Sequence, residues 1–193
     1  MTTHSPDKDS RKRIRQLLDL EGIENALDGI AERIFADHPD PGSLLVMGMA
    51  SRGIPLAEKI VQRLDHLYGS KVLLGNLDAT FYRDDFHYRK RLQNPSIKIS
   101  SMPRPVEGLN ILLVDDVLYT GRTIRAAMEA LMDMGRPRTI RLCVLVDRGH
   151  RELPIGADYI GISVKTGLNE EVCLSLPPLD AESSVWLVEV EAH

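Results

Sequence analysis

The run Ile111-Leu112-Leu113-Val114-Asp115-Asp116 limits the fold of this chain more than any other stretch. Four consecutive apolar residues read as a strand buried on both faces, and such strands belong to parallel sheets covered on each side by helices. Two carboxylates follow, where the strand is expected to leave the sheet. Leu118 to Arg122 then reads as a short turn, in which Gly121 accepts φ > 0 and admits a ligand close to the backbone. Ile124, Ala127, Met128 and Leu131 repeat at i, i+3, i+4, i+7, the apolar stripe of a helix that Thr123 is placed to cap. A loop of small and hydroxyl residues at a helix N-terminus offers unpaired N–H groups to a phosphate.

The two acids narrow the chemistry. Adjacent carboxylates after an apolar strand also mark the magnesium strand of P-loop nucleotide hydrolases. That site needs a G-x-x-x-x-G-K-[ST] loop, which the sequence lacks. What remains is a loop that holds a monophosphate, with carboxylates nearby to accept hydrogen bonds from sugar hydroxyls. A ribose 5-phosphate moiety fits that description. An acidic turn before a capped helix, with no ligand, is the alternative that these residues leave open.

The 193 residues suffice for one large domain with its own buried core. Residues 1–15 are polar and without apolar period, so a flexible tail is expected there and a single domain over 16–193. From Arg13 to Phe35 apolar residues recur at helical spacing, interrupted near Gly22, and His38-Pro39-Asp40-Pro41-Gly42 is a stop. Ser43 to Met49 reads as a strand that ends in Ala50-Ser51-Arg52-Gly53. The amphipathic helix expected over Ile54 to Leu67 tolerates Pro55 in its first turn. A second strand is expected over Val72 to Leu77. Phe86 to Gly108 shows no clear period and carries Arg89, Lys90, Arg91, Lys98 and Arg104, as either a functional lid or a disordered segment would. Thr139 to Val146 is a further strand, and shorter apolar runs follow at Tyr159–Val164, Val172–Leu176 and Val185–Val190. The alternation predicts an α/β fold, a central and mostly parallel sheet flanked by helices, with the late strands as a small cap over the strand ends.

Charge and composition exclude several classes. A net charge of −4 gives no overall attraction to nucleic acid or to anionic lipid, so any RNA contact must come from a local basic face. Cys143 and Cys173 stand in separate apolar runs and read as buried thiols of a reducing compartment rather than metal or redox groups. No apolar run has the length of a membrane span, and residues 1–10 lack the apolar core of a signal peptide. The expected location is the cytoplasm.

Residues 114–123, V-D-D-V-L-Y-T-G-R-T, resemble the phosphoribosyl pyrophosphate (PRPP) signature of the type I phosphoribosyltransferases. The run from Val144 through Asp147-Arg148-Gly149-His150-Arg151-Glu152-Leu153-Pro154-Ile155 to Ala157-Asp158-Tyr159-Ile160-Gly161 is similar to one branch of them. That branch is the PyrR family, regulators of pyrimidine operons that are also uracil phosphoribosyltransferases. The resemblance spans residues 20 to 190 or so. It implies a type I phosphoribosyltransferase fold with a hood, built from the C-terminal and N-terminal parts of the chain, over the base. It implies PRPP and uracil as substrates, UMP as product and Mg2+ carried on the pyrophosphate. Its expected partners are further copies of the chain and a pyrimidine-operon leader RNA.

The resemblance also assigns roles by position. Asp115 and Asp116 are expected at the ribose hydroxyls, with at most a water-bridged contact to magnesium. Val117, Leu118, Tyr119, Thr120, Gly121, Arg122 and Thr123 form the 5′-phosphate loop, and Ser51, Arg52 and Gly53 the pyrophosphate loop. Tyr82, Arg83, Asp84 and Asp85 belong to a lid, with Arg83 meeting the pyrophosphate in a catalytic role. Val146, Asp147 and Arg148 line the base pocket. His150 is either a general base or a plain turn histidine. Arg11, Lys12, Arg13, Arg15, Arg33, Arg136, Arg138, Arg141, Arg148 and Arg151 are the residues from which a basic RNA face would be built.

Overall fold

The computed structural model describes residues 12–80 and 96–190. Their order is β1 (Lys12–Leu18), α1 (Leu20–Asp37), a 3-10 turn at Pro41–Ser43, β2 (Leu44–Met49), α2 (Gly53–Tyr68) and β3 (Leu73–Thr80). After the undescribed stretch come β4 (Ser96–Ser101), β5 (Asn110–Leu118), α3 (Arg122–Asp133), β6 (Thr139–Asp147), β7 (Tyr159–Ser163), β8 (Glu170–Ser175) and β9 (Ser184–Glu189).

The main sheet has the order β4-β3-β2-β5-β6-β7. β3, β2, β5, β6 and β7 run parallel, and β4 closes one edge antiparallel to β3. The central strand is buried on both faces, as its unbroken apolar run requires. Leu112 and Val114 enter a core with Ile23, Leu27, Ile30 and Ile34 of α1 and Leu56, Ile60 and Leu64 of α2. Ile111 and Leu113 point the other way, into a core with Ile124, Ala127 and Leu131 of α3. Each such aliphatic side chain contributes roughly 1.5–3 kcal/mol by leaving water. These two cores fix β5, and therefore the acids at its end.

A second sheet, β1-β9-β8, is antiparallel throughout and is the expected hood. Leu174, Leu176 and Val185 join the same core as α1 and α2, which seats the hood on that side of the main sheet.

Five local expectations need correction. Residues 12–15 are not tail, and the helix does not begin at Arg13. Lys12–Leu18 is a strand paired with β9, and Arg13 stacks on the Trp186 ring at 4.8 Å while meeting Glu182 at 3.2 Å. The helix starts after Asp19, whose carboxylate accepts the Gly22 N–H at 2.8 Å. Of the late strands, β7 belongs to the main sheet. Gly161 lets it approach, since a Cβ there would stand 2.6 Å from the Leu145 carbonyl oxygen. Ser96–Ser101 is a strand within the stretch that showed no period, because its register comes from pairing with β3 rather than from its own pattern. β5 continues through Asp115 and Asp116 to Leu118, with Asp115 opposite Val144 and Val117 opposite Val146 of β6. Thr123 does not cap α3. The cap position is Gly121 at φ 88°, and the helix already runs at Arg122.

Candidate active site

In a parallel sheet the loops that leave the carboxyl ends of the strands gather on one edge, and ligands bind there. Two of the expected loops come together at that edge. Gly53 opens α2 so close to β5 that a Cβ would lie 2.4 Å from the Val114 carbonyl oxygen and 3.1 Å from the Asp115 Cα. Gly48 of β2 is equally tight, with a Cβ 2.7 Å from the Ile54 Cα. The missing Gly53 side chain therefore lets the Ser51-Arg52-Gly53 turn lie against β5 beside Asp115, while Gly48 lets α2 pack closely on β2. The Ala50–Ser51 peptide bond is cis. Arg52 is the cap residue of α2 and offers no side-chain hydrogen bond to it.

Asp115 and Asp116 are half-buried. One oxygen of each is used locally: Asp115 Oδ1 accepts the Asp116 N–H, and Asp116 Oδ1 accepts the Val117 N–H, both at 2.9 Å. Burial and the adjacent Asp116 carboxylate push the Asp115 carboxyl well above the usual carboxylate range. Two acids placed this close at a strand end cost stability, and hydroxyl donors or a cation would relieve that cost.

The loop after them is held from outside. Thr120 Oγ1 accepts the Arg122 N–H at 3.3 Å, and the Thr120 carbonyl accepts from Glu152 and Leu153 N–H at 3.0 and 3.3 Å. Arg122 pairs with Glu152 at 2.6 Å, and Gly121 sits against Ile155 and Leu153. Leu118 is fully buried in the core beside α3, so only its backbone belongs to the loop.

The end of β6 is a brace rather than an open wall. Val146 is completely buried, and its side chain serves the core. Asp147 accepts the Gly149 N–H at 2.9 Å and pairs with Arg151 at 2.6 Å. Arg151 also donates to the Tyr119 and Gly149 carbonyls at 2.8 and 2.9 Å. Arg148 is 5% exposed; its guanidinium lies 4.2 Å over the Tyr119 ring and donates to Thr166 Oγ1 and to the Glu170 carbonyl. His150, at φ 58°, places Nε2 2.7 Å from the Thr166 carbonyl, so that nitrogen carries the proton and donates. The loop before α3, the β6 turn and the approach to the hood are thus one hydrogen-bonded unit.

Tyr82, Arg83, Asp84 and Asp85 lie outside the described residues. Sequence reasoning missed Asp180, whose carboxylate reaches Arg52 from the hood at 3.2 Å, and also Thr166, Glu152 and Glu170. Pro177-Pro178-Leu179-Asp180 does signal a turn, but nothing in the order of residues says which strand end it meets. Cys143 is buried, and burial pushes its thiol up to about 12, so it stays protonated in the core; Cys173 is half-buried. Among the described residues no helix is long and apolar enough to cross a membrane.

The phosphoribosyl transferase domain family matches residues 13–177. A Bifunctional protein PyrR from Pelotomaculum thermopropionicum is 45% identical over 174 residues, covering 90% of this chain and 95% of that protein. Its counterpart in Bacillus subtilis is 42% identical over 175 residues, covering 91% and 97%. Among solved structures, the hypoxanthine phosphoribosyltransferase of Trypanosoma cruzi superposes with a TM-score of 0.71 at 18% identity, over 93% of this chain and 98% of that one. A hypoxanthine phosphoribosyltransferase of Staphylococcus aureus gives 0.72 at 18% identity, over 92% of each. At such identity the structural likeness speaks for the fold, while the sequence relatives, matched along nearly their whole length, speak for descent. On both counts the chain belongs to the phosphoribosyl transferase domain family, in its PyrR branch.

Proposed function

We propose that this chain transfers the ribose 5-phosphate of PRPP to uracil, giving UMP and pyrophosphate, and that it regulates pyrimidine genes by binding leader RNA in a UMP-dependent way. The observation that carries the enzymatic reading is the close approach of the Ser51–Gly53 turn to β5 at Val114 and Asp115, which Gly53 permits. A substrate with a phosphate at one end and a pyrophosphate at the other needs two anion-binding loops at one edge of the sheet, with acids nearby.

In this reading the loop from Tyr119 to Thr123, at the start of α3, holds the 5′-phosphate. Asp115 and Asp116 accept hydrogen bonds from the ribose hydroxyls. They stabilise the positive charge that grows on the sugar ring as the C1–oxygen bond to pyrophosphate breaks. Uracil N1 forms the new bond to C1 and gives up its proton to solvent, and pyrophosphate leaves with the electron pair of the broken bond. Ser51, Arg52 and Gly53 receive the pyrophosphate, with Arg83 of the lid. Asp147 and Arg148 hold the floor of the base pocket under the hood, chiefly through their backbone.

The residues fit magnesium of one kind only. Among the described residues no group of three or more ligating side chains exists, so those residues build no metal cage of their own. An ion that arrives on the pyrophosphate with its waters needs no more than a water-bridged carboxylate, and Asp115 and Asp116 each keep one oxygen outside the local hydrogen bonds among the described residues. Magnesium bound in this way would neutralise the leaving group.

The regulatory half rests on relatives that are named bifunctional and on Arg136 and Arg138, exposed on either side of Pro137 after α3. Arg13, Arg122, Arg125, Arg141 and Arg151 are already paired with acids, and Arg33 donates to the Ile160 carbonyl. An RNA face would therefore be small in one copy and is expected to be assembled across a homo-oligomer. The substrate is tested by measuring pyrophosphate release with PRPP, Mg2+ and each of uracil, orotate, hypoxanthine and adenine. Release with uracil supports the reading, turnover with a purine and not uracil reassigns the base, and no release with any base refutes it.

A further inference from the structure

Arg52 stands at the mouth of the α2 turn, yet its charge is answered from the hood. Its Nη2 lies 3.2 and 3.3 Å from the two oxygens of Asp180, and its buried Nε has no hydrogen-bond partner. The contact uses one nitrogen of a group that carries five N–H donors. Both side chains are half-buried, at 36% and 24% exposure, so the pair is neither a loose surface contact nor a locked interior one.

Asp180 is better anchored than its partner. Its Oδ2 accepts the Leu176 N–H at 2.9 Å, and its own N–H donates to the Leu176 carbonyl at 3.1 Å. Leu176 is wholly buried in the core that the hood shares with α1 and α2. The carboxylate therefore stays in place, and keeps a hydrogen bond, when Arg52 turns away. The Arg52 guanidinium has no comparable anchor; its one hydrogen-bond partner among the described residues is Asp180.

We propose that Asp180 is a positioning residue that holds Arg52 when the pyrophosphate loop is empty and takes it back as pyrophosphate leaves. This rests on the assignment of Ser51–Gly53 to the pyrophosphate. The ligand and Asp180 are both anions that compete for one guanidinium, and an anion at the α2 N-terminus must also stand near the Asp180 charge. Both effects weaken pyrophosphate binding and speed its release. In many enzymes release, rather than chemistry, limits turnover. Asp180 thus trades affinity for release, and it does so from the hood turn between β8 and β9.

The test compares wild type, Asp180→Asn and Asp180→Glu by calorimetric titration with inorganic pyrophosphate and Mg2+, and separately with UMP, which brings no pyrophosphate. Asp180→Asn is expected to bind pyrophosphate about fivefold tighter, equivalent to about 1 kcal/mol. Its KM for PRPP should fall and its kcat should not rise, while its affinity for UMP stays as in wild type. Asp180→Glu restores the wild-type values. Unchanged or weaker pyrophosphate binding by Asp180→Asn overturns the handover, as does an equal change for UMP, which would mark a general effect on the hood. If wild type turns over PRPP and only these shifts are missing, the handover alone falls. If wild type binds neither PRPP nor pyrophosphate, the transferase reading falls with it.

Discussion

Asp115 and Asp116 are neighbours in sequence, yet they are expected to answer differently to substitution. Asp116→Asn keeps the shape and the local acceptor but loses the charge that matters while the sugar ring becomes positive. A loss of about 100-fold in kcat is expected, close to 3 kcal/mol at about 1.4 kcal/mol per tenfold, with little change in melting temperature. Steady-state rates beside a thermal melt separate the two effects. Asp115 carries the cost of burial beside a second acid, and its carboxyl is pushed well above the usual range. An acid whose pKa rises on folding binds its proton more tightly when folded. It therefore lowers stability as pH climbs from the unfolded value, about 3.9, through the raised one. Asp115→Asn removes that penalty. At neutral pH the variant should melt higher than wild type, by about 2–4 °C for each kcal/mol relieved, and the difference should shrink as pH falls toward 4. A variant that melts lower at neutral pH would contradict this account of the acid pair.

At the scale of elements, the site depends on how closely α2 approaches β5. Gly53→Ala sets a Cβ against the Val114 carbonyl, a backbone atom that cannot swing aside, so the start of α2 must move. A destabilisation of about 1–3 kcal/mol is expected, with a larger proportional rise in the KM for PRPP than in that for uracil, because the turn that moves is the one proposed for the pyrophosphate. Denaturant melts and initial rates measure the two. This contact also shows where sequence reading stops. The Ile111–Val114 run announced a two-faced strand, and Gly121 a turn before α3, because local pattern decides both. That Gly53 lets its turn lie against β5 is written nowhere near Gly53. Lys12–Leu18 became a strand because β9 lies beside it, and its exposed side chains, apart from half-buried Leu17 and Leu18, left no alternation to read. Ser96–Ser101 is set by pairing with β3 in the same way. Asp180 is 128 residues from the arginine it meets, a distance that only tertiary structure spans.

For the molecule as a whole, a net charge of −4 means that RNA must be held by a local face against an unfavourable background. Binding of a pyrimidine-operon leader should weaken steeply with salt, by about 0.7–0.9 logarithmic units per phosphate neutralised for each unit of log salt. UMP should strengthen it, since a nucleotide under the hood orders the Tyr119–Arg148–Thr166 contacts that join the loops. Filter binding at two salt concentrations, with and without UMP and against a scrambled RNA, reads both effects; equal and UMP-independent retention of the two RNAs would leave only the enzyme. The central claim is that one edge of the main sheet binds both ends of PRPP and passes the sugar to uracil. The most direct test follows PRPP by 31P NMR in the presence of the protein, Mg2+ and uracil. The account expects the diphosphate resonances of PRPP to give way to free pyrophosphate and UMP in equal amounts, and only when uracil is present. Persistence of PRPP, or its conversion to ribose 5-phosphate without UMP, would contradict it.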